Sequence, residues 1–267
     1  MRTTIVRFTL LCASAVLMSL VLICISDAKL ELKDVVAIWL LDEGTGNKVT
    51  DSSGNGNDGA FAVGNPKWVD GKFGKALSFN GQNDFVEMNA PVIVDTVNFT
   101  IGCWANPGKT QKTWTNILSS HQEPPRRGIS FEQIENNINK FGVAAGDGVN
   151  WGWAANGTAQ LKDGVWNHLV AVRAGKKCTM YLDGKVVVEG DFASSDRIVA
   201  ATSKFRIGNW VLGGREFNGM VDEAFLFKRA LSADEVKSIT DRGLEGAQPV
   251  SPLDKVATSW SKIKTQY

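Results

Sequence analysis

Between Ala37 and Phe61 the chain reads AIWLLDEGTGNKVTDSSGNGNDGAF, a short apolar run followed by a dense succession of Gly, Asn, Asp and Ser. Such residues favour left-handed turns and side-chain hydrogen bonds to the backbone, and no helix tolerates so many breakers. The block predicts an all-β chain whose first strand leads into a rigid polar loop. The oxygens of Asp51, Ser53, Asn55, Asn57 and Asp58 are also of the kind that holds a hard cation such as calcium. Nothing in the block suggests catalysis.

From Val35 to about Phe227 short apolar runs alternate with turn residues, the pattern of a sandwich or barrel. Expected strands include Val36–Leu41, Ala76–Phe79, Phe99–Ala105, Gly128–Ile134, Asn139–Ala144, Gly164–Arg173 and Met220–Phe227. Asp183-Gly184, between Met180-Tyr181-Leu182 and Lys185 to Val188, predicts a two-residue type I′ hairpin. One helix is expected. Ser232 and Glu235 form a capping box, Val236 and Ile239 share a face, and Gly243 stops it. Gly246 to Pro252 has the composition of a linker. Val256, Trp260 and Ile263 then recur at helical spacing, a short amphipathic tail suited to docking on its own domain or on another protein.

Arg2 and Arg7 precede an almost unbroken apolar stretch, Phe8 to Ile25, and Ser26-Asp27-Ala28 offers small residues where a signal peptidase reads. The expected division is a signal peptide over 1–28, one domain over 29–246, and linker and tail over 247–267. Cleavage would make the domain a secreted or cell-envelope protein. The rival is an uncleaved anchor, since about 18 apolar residues just span a bilayer; a membrane partner follows only in that case. Ile23 before Cys24 does not suit lipidation. Without residues 1–28 the chain has equal numbers of basic and acidic side chains, which argues against a nucleic-acid partner. Cys103 and Cys178 remain in apolar strand patterns and read as buried free thiols, although an exported protein also permits a disulfide. No CxxC motif or Cys/His cluster supports zinc.

Several blocks stand in a recognisable order: Trp39 to Glu43 (WLLDE), Asp51 to Gly59 (DSSGNGNDG), Trp68 to Gly81 (WVDGKFGKALSFNG) and Phe99 to Trp104 (FTIGCW). Trp166 to Val170 (WNHLV), Tyr181 to Gly184 (YLDG) and Phe217 to Leu231 (FNGMVDEAFLFKRAL) follow. Together they resemble the laminin-G-like group of concanavalin A-like lectin/glucanase jelly rolls. Thr110 to Gly157 and the tail beyond Gly246 fall outside the resemblance. It implies an all-β, two-sheet antiparallel jelly-roll sandwich with one short C-terminal helix and an open concave face. Lectins, glucan hydrolases and adhesion modules share that architecture, so fold alone does not decide function.

A glucanase needs two carboxylates flanking the scissile bond. Glu132 and Glu135 are three apart and point to opposite faces of a regular strand, and adjacent Asp222 and Glu223 are split as well. No GxSxG or HExxH motif offers another chemistry. His168 alternates with Trp166 and Val170 and reads as a core histidine bonded to a neighbouring strand; His121 falls in a loop beside Glu123-Pro124-Pro125. The chain is therefore expected to be no enzyme. The resemblance further implies a structural calcium tying the first strand to the C-terminal one, with Asp42, the Asn80-Gly81 turn and Asp222 at the matching places. The alternative is that Asp42 and Asp222 merely cap turns.

Trp39, Trp68, Trp104 and Trp166 match framework positions and are assigned to the core. Asn150-Trp151-Gly152-Trp153 instead puts two indoles on one face of an extended segment, within the region that departs from the family pattern. Trp114 and Trp210 occupy other strand-end or loop positions. These five residues, Asn150 with the four indoles, are the candidate ligand contacts, because sugars stack on flat rings while amides read their hydroxyls. The expected function is an exported recognition module for a carbohydrate or glycoconjugate, with protein adhesion as the alternative and a glycan-active hydrolase with unfamiliar acids as the third reading.

Overall fold

The computed structural model describes residues 29–134, 138–154, 157–192 and 197–248. The expected signal segment and the tail from 249 onward lie outside them. In chain order the strands are β1 (Val35–Trp39), β2 (Lys48–Val49), β3 (Gly59–Val63), β4 (Lys67–Asp70), β5 (Lys75–Asn80) and β6 (Phe85–Met88). Next come β7 (Phe99–Pro107), β8 (Asn116–Ser119), β9 (Arg127–Gln133), β10 (Lys140–Asp147), β11 (Trp151–Trp153) and β12 (Ala159–Gln160). The last are β13 (Asn167–Ala174), β14 (Lys177–Leu182), β15 (Lys185–Asp191), β16 (Arg206–Ile207) and β17 (Asn218–Phe227), before helix α1 (Ala233–Ala247).

All pairings are antiparallel and form two sheets, giving the all-β jelly-roll sandwich. Sheet A runs β15-β14-β13-β7-β17-β5-β4, with β1 also on β17; sheet B runs β11-β10-β9-β8-β16-β6-β3-β2, with β12 on β10. Gly59–Val63 and Lys67–Asp70 were not legible as strands, since Gly59 ends the polar run and Pro66 interrupts the gap between them. The inward faces meet in one core that includes Trp39, Phe131, Phe141, Phe205 and Phe217. Trp39 stacks on Phe205 at 5.1 Å. Cys103 and Cys178 are free and buried, and burial pushes the Cys178 thiol up to about 12. Of the tryptophans assigned to the core, Trp39 and Trp104 are buried, but Trp68 and Trp166 are only half-buried.

The polar loop after β1 is a hydrogen-bond clasp. Asp51 accepts from the backbone N–H groups of Ile38 (3.0 Å) and Ser53 (2.9 Å) through one oxygen, and from Asn57 (2.9 Å) through the other. Asn55 and Asn57 donate their side-chain amides to the Val35 and Val36 carbonyls. β1 pairs with β17 on one side only, so the loop satisfies the opposite edge, where a strand would otherwise sit. Both Asp51 oxygens and one of Asp58 are thus committed to backbone donors, and the other Asp58 oxygen pairs with Lys48.

Helix α1 packs on the outer face of sheet A. Its Val236, Ile239, Leu244 and Ala247 join Ile38, Phe225 and Phe227 in a second cluster. Ser232 and Glu235 close the capping box. Gly243 breaks the helical geometry (φ 72, ψ 174), but a last turn resumes beyond it. That turn is held because Leu244 N–H donates to Glu223 at 2.9 Å and the Leu30 N–H donates to the Ala247 carbonyl at 2.8 Å. His168 is a core histidine, as expected, but its partner is this helix rather than a strand: Nδ1 lies 2.7 Å from the Thr240 hydroxyl. Among the described residues no helix is long and apolar enough to cross a membrane. The outer face of sheet A is covered in this way. That of sheet B carries something different.

Candidate functional site

Along β10 the side chains of Phe141, Val143 and Ala145 enter the core, which leaves Gly142, Ala144 and Gly146 on the outer face of sheet B. On the neighbouring β9, Ile129 and Phe131 point inward and Gly128, Ser130 and Glu132 outward. Outward positions this small leave room for large side chains to lie across the sheet. They do so from both directions. Trp151 and Trp153 stand in register beside Gly146 and Ala144, so the extended segment does put both indoles on one face. The indole of Trp153 meets that of Trp114, from the turn before β8, at 6.3 Å. Trp151 meets His121, just beyond β8, at 3.8 Å, and His121 meets Trp210 at 5.5 Å. All four indoles are half-buried. Asn150 is exposed in the β10–β11 turn, where its N–H donates to Asp147.

Charged groups lock this pavement. Glu132, only 2% exposed, draws His121 Nδ1 (3.2 Å), the Ser130 hydroxyl (3.3 Å) and Arg215 Nη1 (3.5 Å) to one carboxylate oxygen. The Arg215 guanidinium sits 4.0 Å from the Trp210 ring centre and 6.0 Å from that of Trp114, between the two indole pairs. Trp210 donates its indole N–H to the His121 carbonyl at 2.9 Å, and Trp151 donates to Glu123 at 3.2 Å. Arg126 bonds the same Glu123 carboxylate at 2.8 Å and holds it below the usual carboxylate range, with the Trp151 bond acting in the same sense. Buried and engaged by three groups, Glu132 fixes its neighbours beneath the rings.

The structure therefore brings together Trp114, Trp151, Trp153 and Trp210, and places Asn150 at the rim. His121, Glu132 and Arg215 were not singled out as part of a binding site. His121 follows β8 after one residue and reads as loop; Arg215 stands in a Gly-Gly-Arg turn with no periodic signal. Their convergence depends on tertiary pairing of β8, β9 and β16.

A laminin-G family model, described as the concanavalin A-like lectin/glucanases superfamily, matches residues 80–237. The chain belongs to this superfamily. Domain 4 of AbnA, an extracellular arabinanase from Geobacillus stearothermophilus solved in complex with arabinotriose, is similar in fold. It is 20% identical with a TM-score of 0.61, over 78% of this chain and 98% of that one. The binding domain of botulinum neurotoxin serotype G is 16% identical with a TM-score of 0.60, over 77% of this chain and 50% of that one. That of Paraclostridial Mosquitocidal Protein 1 is 15% identical with a TM-score of 0.58, over 79% and 52%. The chain spans about half the length of the two toxin binding domains.

The calcium implied by the superfamily resemblance would sit at the seam of sheet A. The first half of β17 pairs with β5 and the second half with β1, and a bulge separates them at Asp222 and Glu223. Leu41 (φ 62) and Glu223 (φ 43) are both left-handed there, a strained choice for these side chains. The bulge overturns the expected split of Asp222 and Glu223, because both turn toward Phe73. Asp222 accepts from the N–H groups of Lys72 (2.8 Å) and Phe73 (3.0 Å), Asp42 accepts from Lys75 N–H, and Glu223 Oε1 lies at Gly243 beside the Phe73 ring. Gly81 takes no part. It donates to the Phe217 carbonyl and abuts Asn218, at the far end of the β5–β17 pair. Burial pushes Asp222 up to about 7 and Glu223 up to about 8, with Asp42 adding to both. Asp222 Oδ1 and Glu223 Oε2 are buried without a partner. Oxygen donors of this kind suit calcium. Among the described residues no group of three or more His, Cys, Asp and Glu forms a ready metal shell, so carbonyls and water would complete it.

Proposed function

We propose that this domain is a non-catalytic carbohydrate-recognition module, exported from the cytoplasm, which takes its ligand on the outer face of sheet B. One observation carries the reading. Four tryptophans from three separate segments converge over strands whose outward residues, Glu132 apart, are Gly, Ala and Ser there, and all four remain half-exposed. Buried packing would hide such rings, whereas half-exposed flat rings with a few convergent polar groups suit a sugar. Two further points favour binding over hydrolysis. Glu132 is sealed beneath the rings, and Glu123 is held by Arg126 and Trp151. The arabinotriose complex of a domain of similar fold supports a sugar ligand and supplies a first probe. We further propose that Asp42 and Asp222 hold a structural calcium at the sheet A seam, remote in role from the ligand face.

A glycan array probed with the full chain, with arabinotriose included, tests the reading. Binding to at least one glycan is expected, with loss in Trp151→Ala. Array silence, together with no turnover of any polysaccharide offered, would leave the protein-adhesion alternative.

A further inference from the structure

The charges around the indoles pair off almost completely. Arg215 meets Glu132 and Arg126 meets Glu123, while Arg127 falls on the inward side of the β9 alternation, away from the rings. Lys112 pairs with Glu216 beside them. Farther along the sheet, at β6 and the start of β16, the Lys204–Glu87–Arg206 group carries a surplus positive charge, and both basic groups bond the same carboxylate. A face meant for polyanions presents unpaired cations, whereas the two guanidinium groups beside the rings, Arg126 and Arg215, each face a carboxylate.

The rings also fall into two groups. Trp114 with Trp153 forms one pair, and Trp151 with His121 and Trp210 forms the other. Trp151 and Trp153 alternate along β11, about 7 Å apart. Arg215 stands between the groups, anchored from one side by Glu132. A guanidinium carries five donors, and the contacts to Glu132 and the Trp210 face leave several free.

We infer that the ligand is an uncharged oligosaccharide that crosses both ring groups, with Arg215 reading hydroxyls at their junction. This rests on the carbohydrate reading above. It adds a ligand class, a minimum length and a specificity residue. Stacking supplies sequence-tolerant attraction, and the compensated charges make binding nearly independent of ionic strength.

Isothermal titration of the full chain tests it with four kinds of probe: neutral oligosaccharides of arabinan, xylan and β-glucan, their monosaccharides, an oligogalacturonate and a heparin oligosaccharide. For the best neutral probe, the trisaccharide or longer should bind at least about tenfold more tightly than the monosaccharide. Raising salt from about 20 to about 200 mM should change Kd less than about twofold. Trp114→Gly should bring the long chain's affinity down toward that of a shorter one while leaving the shorter one's unchanged. Arg215→Lys, which keeps the charge, should weaken the long chain about tenfold. Binding of the galacturonate or heparin probe that weakens with salt would overturn the inference while sparing the carbohydrate reading. Equal affinity for mono- and oligosaccharide would do the same. No binding of any probe, neutral or acidic, would overturn both.

Discussion

Trp114 holds a left-handed backbone, φ 61, and its indole reaches that of Trp153 at 6.3 Å, although β8 and β11 lie three strand spacings apart. Three spacings amount to about 14 Å. The contact exists because Gly142, Ala144 and Ser130 leave the sheet surface bare between them, and because the Asn116 side chain donates to the Trp114 carbonyl at 2.7 Å and pins the turn. A bulky residue in this conformation is strained by about 1 kcal/mol or more.

Trp114→Gly is accordingly expected to be nearly neutral for folding. Relief of the strain offsets much of the packing lost with Trp153, so urea unfolding should shift by no more than about 1 kcal/mol. Phe131→Ala in the core should cost about 3–5 kcal/mol in the same assay. A Trp114→Gly cost as large as that of Phe131→Ala would make the indole a packing residue.

The clasp at Asp51 makes a second prediction. Its carboxylate accepts three backbone N–H groups and is 6% exposed. Asp51→Ala leaves those donors without their acceptor and should cost about 3 kcal/mol. Hydrogen exchange should accelerate first at Ile38, Ser53 and Asn57. Unchanged protection at those amides would show that the loop is held by other contacts.

His168 gives a pH dependence of known sign. The Thr240 hydroxyl donates to the Val236 carbonyl at 2.8 Å, so it accepts from His168 Nδ1–H at 2.7 Å, and Nε2 is left as a buried bare acceptor. Burial, with a smaller effect from Lys72, pushes the imidazole down to about 3. The unfolded chain binds this proton near pH 6.5 and the folded one does not. Stability is therefore full above about pH 6.5 and falls with acidification, by about 1.4 kcal/mol per pH unit from this group. Asp222 and Glu223, raised in the fold, act in the opposite direction over the same range. The comparison that isolates His168 is with His168→Asn, whose amide can still donate to Thr240. Urea unfolding at pH 7 and at pH 5 should show the parent losing about 2 kcal/mol more than the variant. Equal losses would contradict the buried neutral imidazole.

Calcium at the seam is tested by removing it. Chelator should lower the melting temperature, since a ligand bound only by the folded chain stabilises it by mass action. The double change Asp42→Asn with Asp222→Asn should erase the response, whereas Gly81→Ala should leave it intact. Superimposable melting curves with and without chelator would reduce both acids to acceptors for the turn at Gly71–Lys75.

The fold was legible because its signals are local. The capping box at Ser232, the Asp183-Gly184 hairpin and the alternation of β7 and β13 each follow from neighbours in sequence. The four indoles were legible as candidates because they fall outside the framework pattern. Their companions were not. His121, Glu132 and Arg215 lie far apart in the chain, and only the pairing of β8 with β9 and β16 joins them. The bulge at Asp222 was equally hidden, since it arises where β17 changes partner from β5 to β1. Regular alternation would have separated Asp222 from Glu223, and the change of partner turns both the same way.

The most direct test of a carbohydrate face on sheet B is a tryptophan-fluorescence titration with the best binder from the glycan array. It should be run on the parent, Trp151→Ala, Trp153→Ala and the framework variant Trp68→Phe. The account predicts a saturable signal in the parent and in Trp68→Phe, and loss of binding by at least about tenfold in both β11 variants, with all four remaining folded. Unchanged affinity in both β11 variants would contradict it and place the ligand elsewhere.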